Sequence, residues 1–128
     1  MLLTYRYKLA LSKAQYRQTE QLCEGQRQLY NAALQERIDA WKKNGISITK
    51  LDQFKSLTQI RSFDETYGNI PVALSRWTIA RSDDAFKGFF SRIKRGDKPG
   101  FPRFKSRSRW RSFGFVEWSG IRLKDGKL

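Results

Sequence analysis

Histidine is absent from this chain of 128 residues, and cysteine occurs once, as Cys23. The chain therefore lacks the usual general base, the usual partner of a catalytic Ser or Cys, and the commonest metal ligand. A single cysteine excludes an internal disulfide framework and a zinc site built from several cysteines. Carboxylate or lysine chemistry stays open, but we expect no catalytic residue, no metal and no cofactor.

Long apolar runs are also missing, and the mean hydropathy is −0.69. No stretch approaches the ~20 apolar residues of a membrane span. The first charge, Arg6, comes too early for the apolar core of a secretory signal. We therefore expect a cytoplasmic protein with no membrane partner. Nine Phe, five Tyr and four Trp nevertheless supply enough apolar surface for a folded core.

Positive charge is abundant, with 26 Lys and Arg against 12 Asp and Glu and a net charge of +14. Most of this excess lies in the second part of the chain. The basic segment, residues 87–111, has ten basic residues and one acid, Asp97. Such a track predicts binding to a polyanion, nucleic acid first, since each neutralised phosphate releases counterions. A merely solvated basic face is the alternative, and its self-repulsion makes it less favourable.

The basic segment also carries aromatic residues, for which two roles are open. They either stack on unpaired bases or anchor the segment to the core, and core packing is favoured for the Phe residues. No small-molecule site is evident. The residues predicted to contact nucleic acid here are Lys87, Arg92, Lys94, Arg95, Lys98, Arg103, Lys105, Arg107, Arg109, Trp110 and Arg111.

Capping patterns predict three helices. Ser12 and Gln15 form a capping box before a helix of about thirty residues, which a stop at Gly45 ends and which Gly25 could bend. Thr49, with an acid three residues later, begins a second helix. Pro71 opens the third, whose apolar stripe is Val72, Arg76, Ile79, Asp83, Phe86, Phe90 and Ile93.

Alternating residues predict strands at both ends of the chain, over residues 3–9, 110–118 and 121–123. Asp125-Gly126 is a strong hairpin signal, but only two residues follow it. This hairpin without a second strand indicates an unfinished element. Helices between strands make the predicted fold class α+β.

Two further patterns have structural and functional interpretations. Residues 12–62 fit either a groove-reading helix-turn-helix or a structural helical hairpin, and the length of the first helix favours the hairpin. Neighbouring Asp83 and Asp84 diverge by about 100° on a helix and cannot share a metal. Because Asp83 falls on the apolar face, we expect it to pair with an Arg or Lys.

Five blocks resemble the TnpB-like (OrfB-type) transposon proteins in identity and order. They are LYNAAL at 29–34, LSR at 74–76, DAFKGFF at 84–90, KPGFPRFK at 98–105 and GIRLKDGK at 120–127. The combination of the fourth block with the helix before it is quite specific. The resemblance covers essentially the whole chain, but only about the N-terminal third of a full-length family member.

The resemblance implies part of an RNA-guided DNA endonuclease from a prokaryotic insertion sequence. Its fold would be a three-helix recognition insert within an incomplete oligonucleotide-binding-type β-barrel. The implied boundaries are a first barrel strand over 1–10, a helical insert over 11–97, and a basic loop with returning strands over 98–128. The implied partners are target DNA and a structured guide RNA, with a nucleoid-associated location. Positions implied to face DNA include Lys50, Arg76, Trp118 and Ser119.

The family's RuvC-like nuclease domain and its four-Cys zinc insert have no counterpart here, so we expect no DNA cleavage by this polypeptide. One alternative is a truncated, stand-alone DNA-binding regulator of transposition or transcription. A basic ribosome-associated or membrane-surface protein is a third possibility. No helix pairs a basic face with a clean apolar one, which disfavours the membrane surface.

Overall fold

The computed structural model describes residues 2–98 and 100–115, and within them the secondary structure is helical. The helices are α1 (Lys13–Asn44), α2 (Lys50–Phe63), the one-turn α3 (Glu65–Gly68) and α4 (Val72–Lys94). Helix α4 packs along α1, and α2 packs against α4. The three long helices therefore form a small bundle.

Helix α1 begins and ends where its capping residues predict. The main-chain N–H of Gln15 donates to Ser12 Oγ at 3.2 Å, and Ser12 N–H donates back to Gln15 Oε1 at 2.9 Å. At the other end Gly45 adopts φ +63°, a left-handed conformation that glycine accommodates without strain. Gly25 does not interrupt the helix, which runs unbroken for 32 residues.

Hydrogen bonds from one arginine, Arg61, join the end of α2 to the connection that leads into α4. Helix α2 begins with the predicted Thr49–Asp52 capping box. Near its end, the Arg61 guanidinium donates to the carbonyl oxygens of Tyr67, Gly68 and Ile70 over 3.0–3.3 Å. These bonds satisfy carbonyls in the connection, so α4 starts after Pro71 in a fixed position relative to α2.

The core has two apolar clusters and several buried polar side chains. Tyr30, Leu34, Phe86 and Trp110 form one cluster, and Leu29, Leu57 and Ile79 form the other. Between α1 and α4, buried Gln26 accepts a hydrogen bond from Thr78 and donates to Ser75. Small polar residues on α4 thus allow close approach of the two helices while satisfying a buried amide.

The predicted pairing of Asp83 is confirmed. Its carboxylate accepts a hydrogen bond from Arg37 Nη2 at 2.9 Å and lies 3.3 Å from Lys87 Nζ. The Arg37 guanidinium also donates to Gln53 Oε1 on α2 and lies over the Phe86 ring. One nearly buried ion pair therefore joins all three long helices.

The predicted α+β class and its barrel are wrong, because the described residues contain no strand. Residues 2–11, which we call the N-terminal arm, lack regular secondary structure, and their large apolar side chains are exposed. An alternating segment becomes a strand only with a partner for its backbone and a core for its apolar face. The arm has neither within the described part of the chain.

The C-terminal strand prediction fails in the same way over residues 110–115, which form no ladder with any described residue. The other predictions at this end of the chain lie outside the described residues. They are the rest of the 110–118 strand, the strand over 121–123, the Asp125-Gly126 turn, and the contact residues Trp118 and Ser119. Across residues 2–98 and 100–115, no helix has both the length and the apolar composition that a bilayer crossing requires.

Candidate nucleic-acid interface

Residues 100–115, here called the docked segment, lie across α1 and α4 without regular secondary structure. An asparagine amide holds the middle of the segment. Asn31 Nδ2 donates to the Lys105 carbonyl at 3.0 Å, and its Oδ1 accepts from the Lys105 N–H at 2.8 Å. Arg27 Nη1 donates to the same carbonyl at 3.1 Å. Helix α1 thus fixes the main chain of Lys105 and leaves its side chain free of these bonds.

Trp110 anchors the far end of the docked segment. Only 6 % of its surface is exposed, and its ring lies 4.8 Å from that of Tyr30 and 6.4 Å from that of Trp77. A buried ring cannot stack on a base, so we assign Trp110 to anchoring the segment. Gly114 follows closely, and a Cβ there would come within 2.5 Å of the Trp77 ring. The segment's approach to α4 therefore requires glycine at that position.

The start of the docked segment is fixed by a second aromatic contact. Phe101 stacks on Phe89 of α4 at a centroid distance of 5.1 Å, and Lys42 lies over the Phe101 ring at 5.5 Å. These Phe residues pack against the core, as the sequence favoured. Phe104 differs, since 51 % of its surface is exposed.

Four predicted residues line one polar cleft of about 290 Å³ between α4 and the docked segment. They are Arg92, Arg103, Lys105 and Arg109. We call this the arginine cleft. Tyr30, Asp84, Gly88 and Phe104 also contribute to its wall. No ion pair links any of the four cations to another described residue, and Asp84 is the one acid among the described residues that line the cleft.

The remaining predicted cations are dispersed. Lys87 pairs with Asp83, Arg95 with Asp97, and Arg107 with Glu24 at 3.4 Å. Lys94, Lys98 and Arg111 are exposed. Lys50 and Arg76 lie elsewhere, at the start of α2 and on α4 over the Phe54 ring. The arginine cleft is therefore the place where the structure concentrates the predicted residues.

Glu24 organises the cations beside the cleft. Hydrogen bonds from Arg27, together with the charge of Arg107, lower the pKa of the Glu24 carboxyl to about 2. It is therefore ionised throughout the neutral range and holds Arg27 against the docked segment. Arg107 is tied to the same carboxylate, so one acid on α1 positions two arginines.

The sequence did not identify Asn31 and Arg27 as contacts of the docked segment, or Asp84 as a residue that lines the cleft. Asn31 lies 74 residues from its partner Lys105, a separation over which no local pattern acts. Its block at 29–34 was noticed only as a resemblance. Among the described residues no three His, Cys, Asp or Glu side chains cluster in a way that could hold a metal ion.

Comparison with known families finds a match at the N-terminus of the chain. Residues 1–45 match the family model HTH_OrfB_IS605, a helix-turn-helix domain. No curated protein and no solved structure shows significant similarity to the chain. The matched residues comprise the N-terminal arm and α1, which carries Arg27 and Asn31. Residues 1–45 are therefore similar to the N-terminal helix-turn-helix region of OrfB/IS605-type transposon proteins, a similarity that points to DNA binding.

Proposed function

We propose that this chain binds DNA through the arginine cleft and the exposed cations of the docked segment, and that its role is binding without catalysis. The gathering of four cations without ion pairs to described residues, Arg92, Arg103, Lys105 and Arg109, at one cleft is the observation that carries the proposal. Arginine suits this task because its planar guanidinium binds a phosphate through two hydrogen bonds.

The anchoring of the docked segment supports the same function. Asn31 fixes the main chain at Lys105, and Trp110 fixes the far end in the core. Cations on a segment that is already ordered lose little conformational entropy when DNA binds. The connection to α1 also links the cleft to the region that matches the transposon helix-turn-helix model.

Salt dependence of binding tests the assignment. In a variant with Arg103, Lys105, Arg107 and Arg109 all changed to Gln, the slope of log K against log salt should become shallower by about 3 to 4. Each lost phosphate contact removes about 0.9 from the slope on duplex DNA. Fluorescence anisotropy of a labelled duplex between about 50 and 200 mM salt measures both slopes.

A charge-matched control separates a local interface from the general attraction of a basic protein. Changing exposed Lys13, Arg17, Lys43 and Lys55 to Gln removes the same four charges from outside the docked segment. This control should change the slope by less than about 1. A larger effect in the control than in the docked-segment variant would place the interface on α1 and α2 and contradict the proposal.

The resemblance to TnpB-like proteins makes structured RNA a second proposed partner. The block at residues 98–105 contributes Arg103 and Lys105 to the cleft, and RNA presents the same phosphates as DNA. If the chain holds a guide RNA, a structured RNA from the same element should displace duplex DNA at lower concentration than transfer RNA does. Equal displacement by both RNAs, together with a sequence preference on duplex DNA, would favour the stand-alone regulator.

A further inference from the structure

We propose that the arginine cleft takes a single unpaired nucleotide of DNA, with its phosphate at the arginines, its base on Phe104 and its base edge at Asp84. This inference rests on the proposed DNA binding and specifies the form of DNA that the cleft accepts. The argument has four parts: the volume of the cleft, its cations, its exposed aromatic ring and its carboxylate.

The volume of the cleft fits one nucleotide. At about 290 Å³ it lies near the lower end of the range for small-ligand pockets, roughly 300 Å³. Bases in a duplex are stacked on both faces and paired at one edge, so they cannot enter a pocket of this kind. Only an unpaired nucleotide presents phosphate, base face and base edge together.

The cations of the cleft are suited to bind the phosphate of the nucleotide. Arg103 and Arg109 are exposed on the docked segment, and Arg92 reaches the cleft from α4. Positive charge therefore reaches the cleft from both α4 and the docked segment. Among the described residues, Arg92 makes only a long hydrogen bond of 3.4 Å to the Gly100 carbonyl. A phosphate oxygen would be a stronger, charged acceptor for that guanidinium.

The exposed ring of Phe104 is suited to stack on the base of the nucleotide. Phe104 is half-exposed at the cleft, whereas Phe89 and Phe101 of the same region are packed against the core. An exposed ring beside several cations is the arrangement with which single-stranded nucleic acid is held, because every base has a face that can stack.

Asp84 is the feature that phosphate binding alone does not explain. A carboxylate among phosphate-binding cations repels the phosphate, and within the described part of the chain Asp84 makes no ion pair or side-chain hydrogen bond. Its neighbour Asp83, in contrast, serves the fold. Asp84 is therefore free to accept hydrogen bonds from a base. Guanine presents two adjacent donors on its pairing edge, which match the two oxygens of a carboxylate, so we expect guanine to be preferred.

Binding of short oligonucleotides tests this geometry. The probes are a labelled dT12, the same strand with one central dG, and a hairpin duplex of equal charge whose loop is a linker without bases. The intact chain should bind the dG strand about tenfold more tightly than dT12, as expected for one well-matched base contact. In Asp84→Asn this ratio should fall to about one, while the affinity for dT12 does not decrease.

Two further variants separate the base from the phosphate. Phe104→Ala should weaken both single strands about tenfold and leave the hairpin unchanged, because one stacking contact is lost. Phe63→Ala is the matched control, since Phe63 is exposed on α2 and does not line the cleft.

Gly88→Leu should fill the cleft without altering its charge. A Cβ at Gly88 meets nothing closer than Arg92 Nη1 at 3.5 Å, so the helix accommodates it.

The outcomes distinguish this inference from the proposed function. Salt-dependent binding of the hairpin, with no dG preference and no effect of Phe104→Ala or Gly88→Leu, would overturn the nucleotide pocket alone. If the intact chain binds none of the DNA probes, the proposed function is overturned as well. Tighter binding of the matching RNA strand than of the DNA strand would assign the cleft to RNA and overturn the DNA assignment.

Discussion

Two neighbouring aspartates on α4 have opposite environments. The Asp83 carboxylate is 13 % exposed and pairs with Arg37, which is 8 % exposed. Burial alone would raise the pKa of Asp83, but hydrogen bonds from Arg37 and Lys87 outweigh it and the pKa is lowered. Asp84, one residue further, is exposed at the arginine cleft. The first aspartate therefore stabilises the bundle, and the second is available for a ligand.

Replacing these aspartates should separate stability from binding. Asp83→Asn leaves the Arg37 charge nearly buried without a counter-ion and should lower the free energy of unfolding by about 3 kcal/mol at pH 7. Asp84→Asn should change it by less than about 0.5 kcal/mol. Urea denaturation measures both values. A larger loss for Asp84→Asn than for Asp83→Asn would contradict the assigned roles.

The pair also predicts a pH dependence. The native pKa of Asp83 lies below the unfolded value of about 3.9, so the stabilisation is fully present above that pH. It is lost as the pH falls through the native pKa. The stability difference between the intact chain and Asp83→Asn should therefore be constant from pH 7 to 5 and shrink below pH 4. A difference that grows on acidification would contradict the depressed pKa.

At the scale of elements, the docked segment depends on a few contacts from α1. Asn31 makes two hydrogen bonds to Lys105, in the pattern with which a neighbouring strand would bind. The segment thus gains the main-chain partners of a strand without forming a sheet. The order of the segment near Lys105 should therefore depend largely on the Asn31 amide.

Asn31→Ala should release the docked segment and leave the helices intact. Loss of the two bonds is expected to lower hydrogen-exchange protection of the Lys105 amide about tenfold. Gln35→Ala is the control, because Gln35 lies one turn further along α1 and bonds only Asp39 among the described side chains. Unchanged protection in Asn31→Ala would show that Trp110 and Phe101 hold the segment without it.

Helix ends were predictable from sequence, whereas the buried face of α4 was only partly so. The capping residues Ser12 and Thr49 act within three residues, so their patterns are local. The predicted stripe correctly included Ile79 and Phe86, but Ile93 and Phe90 are exposed. Small polar residues such as Ser75 and Thr78 are buried instead, because they let α1 approach closely and bond Gln26. Hydrophobicity alone does not mark such positions.

The strands and the cleft could not be predicted reliably from the sequence, because both depend on residues that lie far apart along the chain. The alternation of Tyr5 and Tyr7 favours a strand, but no described segment pairs with it. Charge clustering singled out the basic segment as a whole, and it could not separate the cleft residues from Arg95 or Lys98. That separation arises from the fold, since Phe101 packs on α4 and Asn31 of α1 fixes Lys105, and these contacts place the cleft residues together.

For the whole molecule, the net charge of +14 and the helical bundle act together. Such an excess repels itself in the compact state, and a bound polyanion removes that repulsion. The helices hold acids such as Asp83 and Glu24 in ion pairs on α4 and α1, which leaves the cleft cations without ion pairs to described residues. The central claim is that DNA binds where the docked segment meets α4.

Hydrogen exchange of the chain, free and bound to DNA, tests that claim most directly. Added DNA should protect amides of residues 100–111 and of the second half of α4, and leave the exposed face of α2 unchanged. Saturating binding with protection confined to α2, or to the N-terminal arm, would show that DNA binds elsewhere and contradict the account.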